Sequence, residues 1–179
     1  LGSYVDYGSL GADNLYFPTD IDFDANGRAF MTQANGQIRI LDSAGLLQST
    51  PYAVGEDATD FSVPYDRAMT SVALHPDFLN VGTAGYGKFY TVEASVAFDW
   101  NDADFTNPIT GKNPFHGQHT SLLYEYTVAN PLANALDLQD AVLNPSGADS
   151  RRIVLSARQR HHSHNFDDLA FDATGILYL

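Results

Sequence analysis

The chain has 179 residues, of which 44% are apolar and 12% aromatic, enough for one domain with a sizeable core and unlike a disordered segment. Twenty-two acidic against nine basic side chains give a formal net charge of -13, which repels nucleic-acid phosphates and anionic lipid, so neutral or cationic small molecules are the fitting partners. The lack of cysteine excludes disulfides and thiolate zinc, and no apolar run approaches the roughly 18 residues that a membrane helix needs.

From the N-terminal side, Asp20-Ile21-Asp22-Phe23 alternates polar and apolar, and Arg28 to Thr32 and Gln37 to Leu41 follow as further short strands. Asn26-Gly27 and Asn35-Gly36 separate them, predicting two adjacent hairpins with tight turns of the primed types. The phrase from Asp20 to Met31 then returns without a gap from Asp168 to Leu179, and a middle copy, Ser71-Val72-Ala73-Leu74-His75-Pro76-Asp77, leads through a longer turn to Gly87-Lys88-Phe89-Tyr90. Three copies of a strand-turn-strand unit indicate a repeat architecture.

Strand-like segments at Ser71 to Leu74, Lys88 to Phe98, Thr120 to Val128 and Arg152 to Ala157 make four between the second and third copies. Four antiparallel strands form one propeller blade. The expected fold is therefore all-β, a β-propeller, with blade 1 at about 19–66, blade 2 at about 67–158 interrupted by an insertion at about 99–119, and the start of blade 3 at about 164–179. A closed ring takes roughly four to eight blades of about 40–50 residues, so the chain is expected to be a piece of one propeller domain, with the remaining blades in the same or another chain.

Residues shared among copies, such as Asp20 and Asp168, Phe23 and Phe171, Asp24 and Asp172, Gly27 and Gly175, are expected to be packing and turn residues. Function is sought instead just before each copy, because the segment leading into an innermost strand lies at one mouth of a propeller channel. The repeat register aligns Tyr16, Arg67 and His164 there, with Asp66, His162 and Asn165 close by. A single imidazole near neutral pKa suits general-base work on a hydroxyl.

His162 and His164 share one face of an extended segment and could instead hold a metal with His116 or His119 as third ligand; a polar, hydrogen-bonded loop is the plainer account. Asp22, Asp24 and Asn26, followed by Gly27, match the first half of a calcium loop, although Gln33 stands where the bidentate Glu belongs; the third copy keeps the turn but has Ala170 for Asp22, which favours a hairpin. Asp99, Asn101, Asp102 and Asp104 are further calcium candidates within an acidic loop.

Pro18-Thr19-Asp20-Ile21-Asp22-Phe23 with Gly27-Arg28, then Ala73-Leu74-His75-Pro76-Asp77-Phe78, then His164-Asn165 leading to Leu169-Ala170-Phe171 and Gly175-Ile176-Leu177-Tyr178, occur in an order that resembles the soluble glucose/sorbosone dehydrogenases. The resemblance implies a six-bladed propeller using pyrroloquinoline quinone and calcium, with His164 as general base on a sugar hydroxyl and hydride passing to the quinone. It also implies an oxidoreductase acting on a sugar or other alcohol, while the cysteine-free, acidic composition suits a periplasmic or secreted setting. The chain departs from the family at Phe166-Asp167, where two glycines are usual, and at Ala68-Met69-Thr70-Ser71, where Gly-Leu-Leu-Gly is usual. Most of the quinone-holding bases and calcium ligands would belong to other blades. The alternative is a non-catalytic extracellular propeller binding glycan or protein, and a calcium-dependent lactonase is a third option.

Overall fold

In the computed structural model, the described residues are 15, 17–55, 69–95, 119–136, 148–159 and 168–179. They form ten strands and, within those segments, no helix. Strands β1 (Pro18–Phe23), β2 (Ala29–Gln33), β3 (Gln37–Leu41) and β4 (Ala53–Val54) make one four-stranded antiparallel sheet in chain order. Strands β5 (Met69–Leu74), β6 (Lys88–Ser95), β7 (His119–Thr127) and β8 (Ser150–Gln159) make a second, and β9 (Ala170–Phe171) pairs with β10 (Leu177–Tyr178) as a hairpin. This is the expected all-β propeller arrangement: two consecutive blades and the first hairpin of a third.

The turns differ from the primed two-residue type. Gly27 (φ 77°) and Gly36 (φ 75°) adopt the left-handed region, whereas Asn26 and Asn35 do not. In the first turn, Asp24 N–H bonds to Arg28 O at 3.0 Å and Gly27 N–H to Asp24 O at 2.9 Å. The Asp24 carboxylate also accepts the amides of Asn26 and Arg28, both at 2.9 Å. Asp42 and Asp172 repeat this pattern ahead of Gly45 and Gly175. An Asx turn closed by one left-handed glycine therefore sets the loop, and it spares asparagine a positive φ.

Between the two blades, Phe30, Ile38, Ile40 and Tyr52 pack against Val72, Leu74, Phe89, Leu122, Tyr124 and Tyr126. Period-2 alternation sends Ala73, Val92 and Leu123 to the opposite face of blade 2, where they meet Leu169 with Tyr90, Phe171 and Leu177 against them. Phe30 meets Tyr52 and Phe78 edge to face, and Phe89 stacks on Tyr126 at 4.5 Å. Loop residues 129–136 strap blade 2 to blade 1: Arg28 Nη2 donates to Pro131 O at 2.6 Å, and Leu136 N–H to Tyr52 O at 2.8 Å.

The expected first two strands of blade 1 are present but displaced by a residue or two at their starts, and its fourth strand, for which the sequence carried no pattern, is the short β4. Phe23, expected to pack, is 60% exposed because it lies on the face of β1 turned away from blade 2. Its repeat partner Phe171 does pack, edge-on to His75 and Tyr90.

Candidate functional site

The innermost strands β1, β5 and β9 line a cleft of ≈ 370 Å³ bordered by Asp20, Asp22, Leu74, His75, Asp168 and Phe171, among others. The three copies keep one register at the turn that leaves each inner strand. Asp24 N–H bonds Arg28 O, His75 N–H bonds Lys88 O, and Asp172 N–H bonds Ile176 O, each at 3.0 Å. Where the first and third copies cap the turn with a carboxylate, the second uses an imidazole: His75 Nδ1 accepts the Asp77 amide at 3.0 Å. That bond places the proton of the neutral ring on Nε2.

β1 and β5 are tied by side chains, since no ladder joins inner strands of neighbouring blades. Thr19 Oγ1 donates to Met69 O at 2.7 Å and lies 2.8 Å from Thr32 Oγ1. Asp20 Oδ2 accepts from Ser71 Oγ at 2.6 Å and from Val72 N at 2.9 Å, and Asp22 Oδ2 accepts from Leu74 N at 2.7 Å. Alternation along β1 turns these two carboxylates toward blade 2 and leaves Ile21 and Phe23 on the other side. The starts of the first two inner strands are thereby held side by side.

The predicted rim residues Tyr16, Asp66, Arg67, His162, His164 and Asn165 lie outside the described residues. So do Asp99, Asn101, Asp102, Asp104 and His116, while His119 is the first residue of β7. Of the calcium candidates, Asp22 bonds to Leu74 and Phe23 amides. Asp24 is buried and receives Arg28 Nε at 2.7 Å besides its turn amides, and Asn26 donates its own amide to Asp24. Among the described residues no three His, Asp or Glu side chains converge in a metal-holding group. Likewise among them, no helix is long and apolar enough to cross a membrane.

The face of blade 2 turned to the β9–β10 hairpin carries a charged cluster. Glu125 accepts Tyr90 Oη at 2.6 Å and Arg152 Nε at 2.8 Å, with Lys88 Nζ 3.7 Å away. Burial by itself would raise the Glu125 carboxyl, but the Arg152 and Tyr90 bonds and the Lys88 charge outweigh it and hold the group below its usual range. Tyr90 is pushed well up by burial and by its bond to Glu125. On β9–β10, Asp172 is lowered to about 2 by the Ile176 amide first, with the Thr174 hydroxyl and amide and the Tyr178 hydroxyl adding to it.

Sequence reasoning did not single out Thr19 as a bridge between blades, or Phe17 as a strained position. No pattern signals the first, because the bridge depends on the spacing of two blades. Phe17 has φ 44°, although a residue before proline is normally held extended at negative φ.

No family model matches the chain, and no curated protein sequence matches it either. Its fold is nonetheless similar to that of solved structures. One is an oxidoreductase described as glucose dehydrogenase from Thermus thermophilus, with a TM-score of 0.51 and 20% identity over 91% of this chain and 36% of that one. A second, described as glucose dehydrogenase, has a TM-score of 0.54 and 16% identity over 91% of this chain and 40% of that one. The chain thus spans well under half the length of either, and at these identities the similarity is one of fold.

Proposed function

We propose that the chain is part of a dehydrogenase propeller that oxidises a hydroxyl of a sugar or other alcohol, with pyrroloquinoline quinone as the acceptor. The observation that carries the proposal is the shared register of β1, β5 and β9 around one cleft, in a fold similar to glucose dehydrogenases. In that register His164 stands four residues ahead of Asp168, as Tyr16 stands ahead of Asp20. Its role would be to take the hydroxyl proton while the carbon-bound hydrogen leaves as hydride, a division of labour that suits an imidazole near neutral pH. Asp66, Arg67, His162 and Asn165 would orient the substrate or cofactor beside it.

The described residues do not fit the quinone itself. Asp20, Asp22 and Asp168 border the cleft, and carboxylates repel a cofactor that carries carboxylates of its own. Arg28 is engaged with Asp24 and Pro131, and Arg39 donates to Gln48 O. The cations and calcium ligands that would hold quinone are therefore assigned to other blades, and no step of the reaction is assigned to the described residues. A periplasmic or secreted setting belongs to the same proposal.

The test is quinone-dependent dye reduction with aldoses by the full-length protein, in the presence of calcium. Activity in the wild type and its loss in His164→Ala are expected; activity unchanged by the substitution would remove His164 from the mechanism. A second proposal, a non-catalytic propeller binding glycan or protein, is favoured by the bulk of Phe166-Asp167 where the family has two glycines and by the acidic cleft. If quinone and calcium cause neither an absorbance change nor a thermal shift in the full-length protein, that second proposal replaces the first.

A further inference from the structure

We infer that β8 is a docking edge for an acidic extended segment of a partner protein, which adds to the sheet of blade 2 as a further strand. β8 stands at the opposite end of that sheet from the inner strand β5, so the surface is separate from the proposed dehydrogenase chemistry.

The outermost strands of the two blades differ. β4 spans two residues, Ala53–Val54, whereas β8 spans ten, Ser150–Gln159. Propellers keep such edges short and protected, because an open edge offers a row of unpaired N–H and C=O groups to any extended chain. Among the described residues, no strand pairs with the outer edge of β8. The strand is also apolar where it is open, with Ile153 43% and Val154 45% exposed. Ile153 pairs with Tyr124, which belongs to the core shared with blade 1, so it lies on the face where the neighbouring outermost strand is the short β4. Val154 is the extra residue of a bulge, beyond which Leu155 to Gln159 keep a regular register with Leu123 to His119.

Charge selects the occupant. β8 carries Arg151, Arg152 and Arg158 and no acid, in a chain that has nine basic residues and a net charge of -13. Arg152 gives Nε to Glu125 at 2.8 Å, yet its side chain is 67% exposed, so the outer N–H groups of the guanidinium face solvent beside the edge. An acidic strand meets these cations while its backbone extends the ladder and its apolar side chains cover Ile153 and Val154. A second copy of β8 fits poorly. Paired antiparallel about Val154 and Leu155, two copies set Arg151 opposite Arg158, and like charges directly opposed are destabilising. Nucleic acid and anionic lipid are repelled by the charge of the whole chain, whereas a short acidic segment is held by the local cations and the ladder together.

The experiment adds three synthetic, end-capped peptides to the full-length protein: one alternating valine with aspartate or glutamate, its lysine counterpart, and the acidic peptide with proline in place of alternate valines. Binding is read by fluorescence anisotropy and the occupied strand by backbone amide exchange. The acidic peptide is expected to bind, to slow exchange in β8 and to bind more weakly as salt is raised, while the lysine and proline peptides do not bind. Val154→Glu should weaken the acidic peptide about tenfold, through lost apolar contact and added repulsion, with the thermal midpoint unchanged because the side chain is exposed. Absence of acidic-peptide binding overturns the inference, and so does protection that falls outside β8. Equal binding of the proline peptide overturns it as charge attraction without a ladder, and affinity unchanged in a folded Val154→Glu overturns it as well. A full-length protein that dimerises with β8 already protected makes a second copy the occupant and overturns it too.

Discussion

Between blades 1 and 2, aromatic rings from both sheets interlock and two carboxylates on β1 reach across to amides of β5. Between blade 2 and the β9–β10 hairpin the contact is smaller, built on Ala73, Val92, Leu123 and Leu169 with Phe171 set against His75 and Tyr90. Ser71 and Ala73 stand on β5 where Asp20 and Asp22 stand on β1, and neither side chain can present a carboxylate to the next strand. At the position of Asp22 and Ala73, hydrogen bonding in one blade is thus replaced by apolar packing in the next, whereas Ser71 hydrogen-bonds back to Asp20. The framework is carried by backbone register, and side chains specialise each interface on top of it.

The first way to break this comparison is at the stacked rings. Phe89 is fully buried between the blades, so Phe89→Ala should cost about 3–5 kcal/mol in denaturant unfolding. A loss near zero would mean that the two sheets do not pack as observed.

Asp20 sharpens the contrast next. Asp20→Ala leaves Ser71 Oγ and Val72 N without their carboxylate, with an expected loss of about 1–3 kcal/mol. A double-mutant cycle with Ser71→Ala should show coupling between the two sites, and simple additivity would separate them.

How much of this was legible beforehand follows from which residues speak locally. The hairpins, the glycines and the three copies were readable because a turn's requirement is written in four or five adjacent residues, as in Asp24 to Arg28. The tie of Thr19 to Met69, the exposure of Phe23 and the imidazole cap of His75 were not, because each depends on what a distant segment places opposite. The proposed rim rests on a register alone, since Tyr16, Arg67 and His164 share alignment with each other and not a motif, and they lie outside the described residues.

A smaller effect is expected at the turn that departs from the Asp pattern. His75→Ala removes the acceptor for the Asp77 amide and the edge contact with Phe171, for about 1–2 kcal/mol. Gly85→Ala should reproduce the loss, because a β-carbon there would collide with the His75 ring. A His75→Ala protein as stable as wild type would show that the imidazole is not part of the framework.

The smallest effect lies at the exposed cap of the third unit. The Asp172 carboxyl is lowered from 3.8 to about 2 by the Ile176 amide and the Thr174 hydroxyl. A depressed pKa stabilises the hairpin above the unfolded value and loses that contribution as pH falls through the folded one. The Thr174 and Ile176 amide resonances should therefore titrate with a midpoint at about 2, with hairpin stability falling between about pH 4 and pH 2, and Asp172→Asn should abolish the titration. A midpoint near 3.8 would mean the cap is not formed in solution.

A crystal structure of the full-length protein with glucose bound tests the account most directly. It is expected to show β1, β5 and β9 around one channel, with His164 within hydrogen-bond reach of a sugar hydroxyl. Finding the three inner strands joined in a single sheet, or His164 remote from the channel, would contradict it.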